Sequence, residues 1–178
     1  MGKEEFAYET EKENQHLAKK FKKYLTRKHC LSVRGSKCYF DIDSSTSQKL
    51  IVGDPVIFQI LNSKKRVSFK SGTPLVTIHR SGYYYLEVDI ELDQPTQFTI
   101  FINNLPIPSL TTGVDSGAGQ VSLSQIIFLK KGDNLKVVNW KSAISPVYTT
   151  TNGGGNQVGI NASFAGFMLL PSEHDKEC

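Results

Sequence analysis

The sequence predicts an all-β sandwich or jelly roll, preceded by one short N-terminal α-helix. Three observations carry this: apolar side chains that alternate with period two, turn residues at short intervals, and one stretch of helical spacing near the N-terminus. The alternation is clearest where Tyr84, Leu86, Val88, Ile90 and Leu92 interleave with Tyr85, Glu87, Asp89, Glu91 and Asp93. Such a run is a half-buried strand with one wet face. Turn signals at Ser71-Gly72, Arg80-Ser81-Gly82, Lys131-Gly132-Asp133-Asn134 and Thr151-Asn152-Gly153-Gly154-Gly155 cut the chain into pieces of strand length. Many short strands with no helices between them pack as a sandwich or jelly roll.

Taken in order, residues 4–26 read as the helix. Leu17, Phe21, Tyr24 and Leu25 fall on one stripe, with Glu4, Glu5 and Glu9 at the start and a basic run, KKFKKYLTRK, at the end. That charge order complements the helix dipole, but the stripe is too sparse for a helix that stands alone. The stretch CLSVRGSKCYFDID, residues 30–43, holds a short strand or two, and the small polar run Asp43-Ser44-Ser45-Thr46-Ser47 reads as a linker. Three parts follow: a basic helical segment with its linker at 1–47, a β domain at 48–171, and a polar tail at 172–178. Within the domain the strand runs are LIVGDPVIFQI, RVSFK, LVTIH, the Tyr84–Leu92 run, Phe98 to Ile102, QVSLSQIIFL, NLKVVNW and GINASFAGFMLL. No repeat has the period of a solenoid or propeller.

Composition narrows the functional classes. With 39% hydrophobic and 21% charged residues, the chain can build a core and is not a disordered polymer. The formal charge of +4 sits largely before Cys30. No run approaches the roughly 18 apolar residues of a membrane span. The first residues, MGKEEFAYETEKENQHLAKK, lack the apolar core of a signal peptide and the Ser or Thr of a myristoylation site. The expectation is therefore a protein made in the cytoplasm. Three cysteines, Cys30, Cys38 and Cys178, are too few for a disulfide framework, although Cys178 could bridge to another chain.

Catalytic and metal-binding patterns are lacking. His16, His29, His79 and His174 are scattered, and His29, Cys30 and Cys38 make a poor ligand set. There is no G-x-S-x-G elbow. Gly113, Gly117 and Gly119 form a glycine-rich stretch without the following Gly-Lys-Ser/Thr of a phosphate cradle, and read as a flexible loop. Asp115 and Asp133 are the candidates for a calcium loop, but a calcium site needs about six oxygens and no dense acidic loop is present. The sequon Asn161-Ala162-Ser163 lies inside the last strand run and reads as structural. No cofactor, metal or enzymatic activity is expected. The basic run, with Lys19, Lys20, Lys22, Lys23, Arg27 and Lys28, suits docking on an acidic protein surface, nucleic acid or anionic lipid, or simply a solvated helix face. Its aromatics fall at helical spacing, which favours packing over base stacking and makes nucleic acid the less expected partner.

Four motifs in order resemble the C1q/TNF superfamily. SGYYYLEVDIEL carries Gly82-x-Tyr84, similar to the family's glycine-x-tyrosine signature; QFTIFINNLPI resembles a strand and turn with an "ING"-like tip. IIFLKKGDNLKVVNW resembles two apolar strands around a Gly-Asp turn, and NASFAGFMLLP is similar to the "FSGFLL" ending of C1q domains. The resemblance spans residues 50–171, and the stretch TTGVDSGAGQVSLSQIIFLKKGD is more like spore-surface (exosporium) and giant-virus members than animal C1q. It departs from those members in having no Gly-X-Y repeat. The resemblance implies a ten-stranded jelly roll that assembles as a homotrimer. It implies that Gly82, Tyr84 and Phe167 support the core and trimer base, although ordinary core packing accounts for them equally well. The functional expectation is a structural protein of a large particle surface, a virion capsid component or spore coat, contacting other particle proteins through its basic N-terminal segment. The alternative is a soluble trimeric recognition module for a protein or carbohydrate ligand.

Overall fold

The alternation from Gly82 to Leu92 produces the longest inward ridge of the molecule: Tyr84, Leu86, Val88, Ile90 and Leu92 are all buried. The computed structural model describes residues 38–115, 117–151 and 158–172. Among them are twelve strands and no helix: β1 (Tyr39–Ser44), β2 (Lys49–Leu50), β3 (Ile60–Lys65), β4 (Val67–Phe69), β5 (Val76–Ile78), β6 (Gly82–Leu92), β7 (Thr96–Ile102), β8 (Leu105–Val114), β9 (Gly119–Leu129), β10 (Asn134–Asn139), β11 (Val147–Tyr148) and β12 (Ala162–Pro171). One five-stranded sheet has the order β3-β1-β12-β6-β9, the other β4-β5-β10-β7-β8, and β2 pairs with β11 as a small clip. All pairings are antiparallel. The two five-stranded sheets make the ten-stranded jelly roll that the motifs implied. The expected N-terminal helix lies outside the described residues.

Between the sheets, Phe40 meets Phe164 edge-on at 4.9 Å between ring centroids, and Phe58 packs on Phe164 at 6.1 Å. Ile78, Phe98, Ile100, Leu110 and Val137 fill the core from the second sheet. Tyr84 reaches the carbonyl of Arg80 with its hydroxyl, at 2.8 Å, so a phenol is buried with its polar tip satisfied. At the far end, Asn139 donates to Leu50 O at 3.1 Å and Asn161 to Thr149 Oγ1 at 2.9 Å, which closes the sandwich below the clip.

Three local outcomes differ from the sequence reading. Residues 39–44, grouped there with the N-terminal segment and linker, form β1, which lies between β3 and β12 with Phe40 and Ile42 in the core. The run LIVGDPVIFQI is not one strand. Gly53 (φ +99°) and Pro55 break it, and between β2 and β3 only isolated bridges form, Pro55 with Val138 and Phe58 with Thr73. Gly113 and Gly119, read as a loop, lie in β8 and β9, and of the described residues there Gly117 alone takes a left-handed turn conformation (φ +62°). The strand position calls for glycine because a Cβ at 113 would lie 2.7 Å from the Thr96 carbonyl oxygen.

A candidate interaction face on the first sheet

The outer face of the first sheet is divided into two chemically distinct halves. Strand register sets this division. Across the sheet, Tyr39 pairs with Phe167, Phe167 with Tyr85 and Tyr85 with Ile126, so four apolar side chains line one row. The next row joins Leu170, Tyr83 and Phe128. A β-bulge between Met168 and Leu170 brings the second row into place: Met168 is buried, while Leu169 and Leu170 are both exposed. Tyr83 stacks edge-on against Phe128 and Tyr85 lies tilted on Phe167, each at 5.2 Å. Aromatic pairs of this kind normally sit in a core or interface. Here Ile126 is 55% exposed and Phe167 41%.

Two residues further along each strand the chemistry inverts. Asp41 and Asp43 on β1 face Glu87, Asp89 and Glu91 on β6 across Ala165 and Ser163 of β12. Strands two places apart lie roughly 10 Å from each other, so the small residues of β12 form a floor between two acidic ridges. Asn62 donates to Asp41 at 3.3 Å and also to Asp43, and Ser122 donates to Asp89. Burial pushes the Asp43 carboxyl above its ordinary 3.8; the Asn62 hydrogen bond opposes this and the neighbouring Asp41 charge adds to it.

The raised value has a consequence for stability. A folded state that holds the proton more tightly than the unfolded chain loses stability as pH climbs from 3.8 through the folded value, and the penalty persists above it. Asp43→Asn removes that penalty and can keep the acceptor for Asn62. Its melting temperature is expected to exceed that of the wild type at pH 7 and to match it near pH 3. A gap of equal size at both pH values would mean that ionisation of Asp43 costs the fold nothing.

The residues singled out from the sequence fall in different places. Gly82 is buried at the start of β6, under the backbone of Leu170 and Pro171. Tyr84 belongs wholly to the sandwich core, pointing away from the outer face, whereas Phe167 is central to the apolar half. Lys19, Lys20, Lys22, Lys23, Arg27, Lys28 and Cys178 lie outside the described residues. Asp133 is occupied, accepting from Lys130 N of its own turn and from Asn103 Nδ2 of the turn between β7 and β8 at 2.8 Å each, and Asp115 is exposed beyond β8. Among the described residues no group of three or more His, Cys, Asp and Glu side chains is placed to hold a metal ion. The sequon residue Asn161 is buried, its amide nitrogen bonded to Thr46 O and Thr149 Oγ1. Sequence reasoning missed Tyr83, Tyr85, Ile126, Phe128, Leu169 and Leu170. The available signal was aromatic residues at the wet positions of β6, and apolar residues of both parities in IIFL and FMLL.

No family model matches the chain, and no curated protein does. Similar solved structures include the globular domain of zebrafish complement 1qA protein, at 16% identity with a TM-score of 0.59, covering 76% of this chain and 99% of that one. Another is the Eiger TNF of S. frugiperda, at 15% identity with a TM-score of 0.55, covering 76% of this chain and 93% of that one. Both likenesses run over most of the chain and concern the fold.

Proposed function

From the premise that this chain folds as a C1q/TNF-like jelly roll, we propose that it is a non-enzymatic homotrimeric module whose apolar half-face is covered by a neighbouring copy. One observation carries the proposal: seven apolar side chains from β1, β12, β6 and β9 share a single contiguous half of a sheet face. Removing such half-exposed side chains from water contributes roughly 1 kcal/mol each, enough together to favour association. Monomeric domains rarely leave an aromatic patch of this kind uncovered. A heterologous contact that closes after three copies satisfies every patch at once.

Within that reading the trimer serves as a structural unit on the surface of a large particle, a virion or spore, held by its basic N-terminal segment to other particle proteins. The likeness of its motifs to spore-surface and giant-virus members supports this. A second reading, a recognition module for a protein or carbohydrate, is favoured by the structural likeness to a complement globular domain. Light scattering behind a sizing column tests the shared claim. The expected mass is close to three times the 19.8 kDa of one chain. A monomer at micromolar concentration would overturn both readings. Deleting residues 1–47 would take β1 with it, so the tail is removed by truncation before Cys38. Loss of particle incorporation with the trimer intact supports the first reading, and retained ligand binding the second.

A further inference from the structure

Four turns, distant in sequence, are tied together at one end of the sandwich. His79 N donates to Arg66 O at 3.3 Å, joining the turn between β3 and β4 to the segment between β5 and β6. Gly132 N donates to Ile78 O at 2.7 Å and Lys131 N to Ser81 Oγ at 3.0 Å, adding the turn between β9 and β10. Asn103 then joins the turn between β7 and β8 to the same group, accepting from Asn134 N at 3.0 Å and donating to Asp133 at 2.8 Å. The result is a braced end that presents Lys65, Arg66, Arg80, Lys130 and Lys131. Lys136 reaches the same end, donating to Asn104 Oδ1 at 2.7 Å. The one carboxylate on these turns, Asp133, already accepts from Lys130 N and Asn103 Nδ2. Next to Asn104 stands Leu105, 66% exposed.

We propose that this end is a docking surface for an anionic lipid bilayer, with the cationic turns against the headgroups and Leu105 at the acyl boundary. Clustered Lys and Arg near an anionic membrane each strengthen binding, and an aliphatic tip beside them adds affinity only where there is an apolar layer to enter. A nucleic acid would instead use an element that fits a groove or an aromatic platform for bases. The exposed aromatics nearest these turns, Tyr83 and Phe128, belong to the sheet face that the proposed trimer covers, which leaves aliphatic Leu105 as the apolar tip. The chemistry holds for one copy; the proposed trimer would multiply it through avidity.

The test is co-sedimentation of the full chain with vesicles of phosphatidylcholine alone and of phosphatidylcholine with about 30% phosphatidylserine, the lipid class that gives a membrane its negative surface potential. Binding is expected only to the second. Each neutralised lysine should weaken it about fivefold, so Lys65→Gln, Lys130→Gln and Lys131→Gln together should weaken it on the order of a hundredfold. Leu105→Ser should weaken it several-fold at unchanged charge. Unchanged binding of the triple variant would place the contact elsewhere on the chain, the basic run before Cys30 included, and overturn the proposal. So would equal binding to both vesicle types, binding to neither, or capture by heparin or DNA without capture by vesicles. A matching melting temperature confirms that the triple variant is folded; if it is not, the three single lysine variants carry the same comparison.

Discussion

A chain carrying Tyr85→Glu and Phe167→Glu should run as a monomer while keeping its sandwich. The two side chains pair across β6 and β12 and touch at 5.2 Å on the outer face, so neither contributes to the core. Glutamate at both positions would place two charges in a contact that must exclude water. It would also extend the acidic half, where Glu87 lies two residues along β6 and Asp41 pairs with Ala165, two residues along β12. Burying unpaired charge costs several kcal/mol, and about 4 kcal/mol corresponds to a thousandfold weaker association. Stability of the isolated fold should change by less than about 1 kcal/mol, as for surface substitutions generally. Light scattering reads the mass and far-UV circular dichroism the fold. Leu75→Glu is the control: Leu75 is also exposed and apolar but precedes β5 in the other sheet, and its substitution should leave the mass unchanged. A double variant that remains trimeric would move the interface to another surface.

The fold was legible wherever burial alternates cleanly. Strand β6 could be read directly because each inward residue from Tyr84 to Leu92 is apolar and most outward ones are charged. Strand β3 could not, because it is an edge strand exposed on both faces; ILNSKK pairs through its backbone and carries no hydrophobic period. Strand β1 was obscured by its neighbours, since Phe40 and Ile42 sit only a few residues before a run of serines that reads as linker. The apolar half-face was legible only in fragments. Tyr83 and Tyr85 share the parity of Glu87 and Asp89, which marks them as outward, but nothing local says that Phe128 and Phe167 meet them there. That meeting depends on β12 and β9 flanking β6, and on a bulge that turns both Leu169 and Leu170 outward. The cationic end was less visible still, because its lysines and arginines come from turns that only the topology assembles.

Gly82→Ala should be among the most damaging single-methyl additions in the protein. A Cβ at Gly82 would overlap the carbonyl oxygen of Leu170 and lie 3.0 Å from the Pro171 Cα. Both are backbone atoms of the paired strand, so no side chain can swing aside to make room. The adjustment must come from the bulge between Met168 and Leu170, where β6 and β12 change register. Forcing a methyl group into a filled site costs about 1–3 kcal/mol, and the upper part of that range applies when the obstacle is backbone. For a domain of this size the loss corresponds to a melting temperature lower by roughly 5–10 °C. At Gly166 an added Cβ meets the Phe40 ring at 2.6 Å and Leu86 at 2.8 Å, both fully buried core side chains, so Gly166→Ala should be comparably damaging. The bulge also sets the outward placement of Leu169 and Leu170, so Gly82→Ala should weaken self-association as well as the fold. A variant that melts like the wild type but still falls apart into monomers would separate the two effects: the bulge would then yield at little cost to the sandwich, and its register would matter to the interface alone.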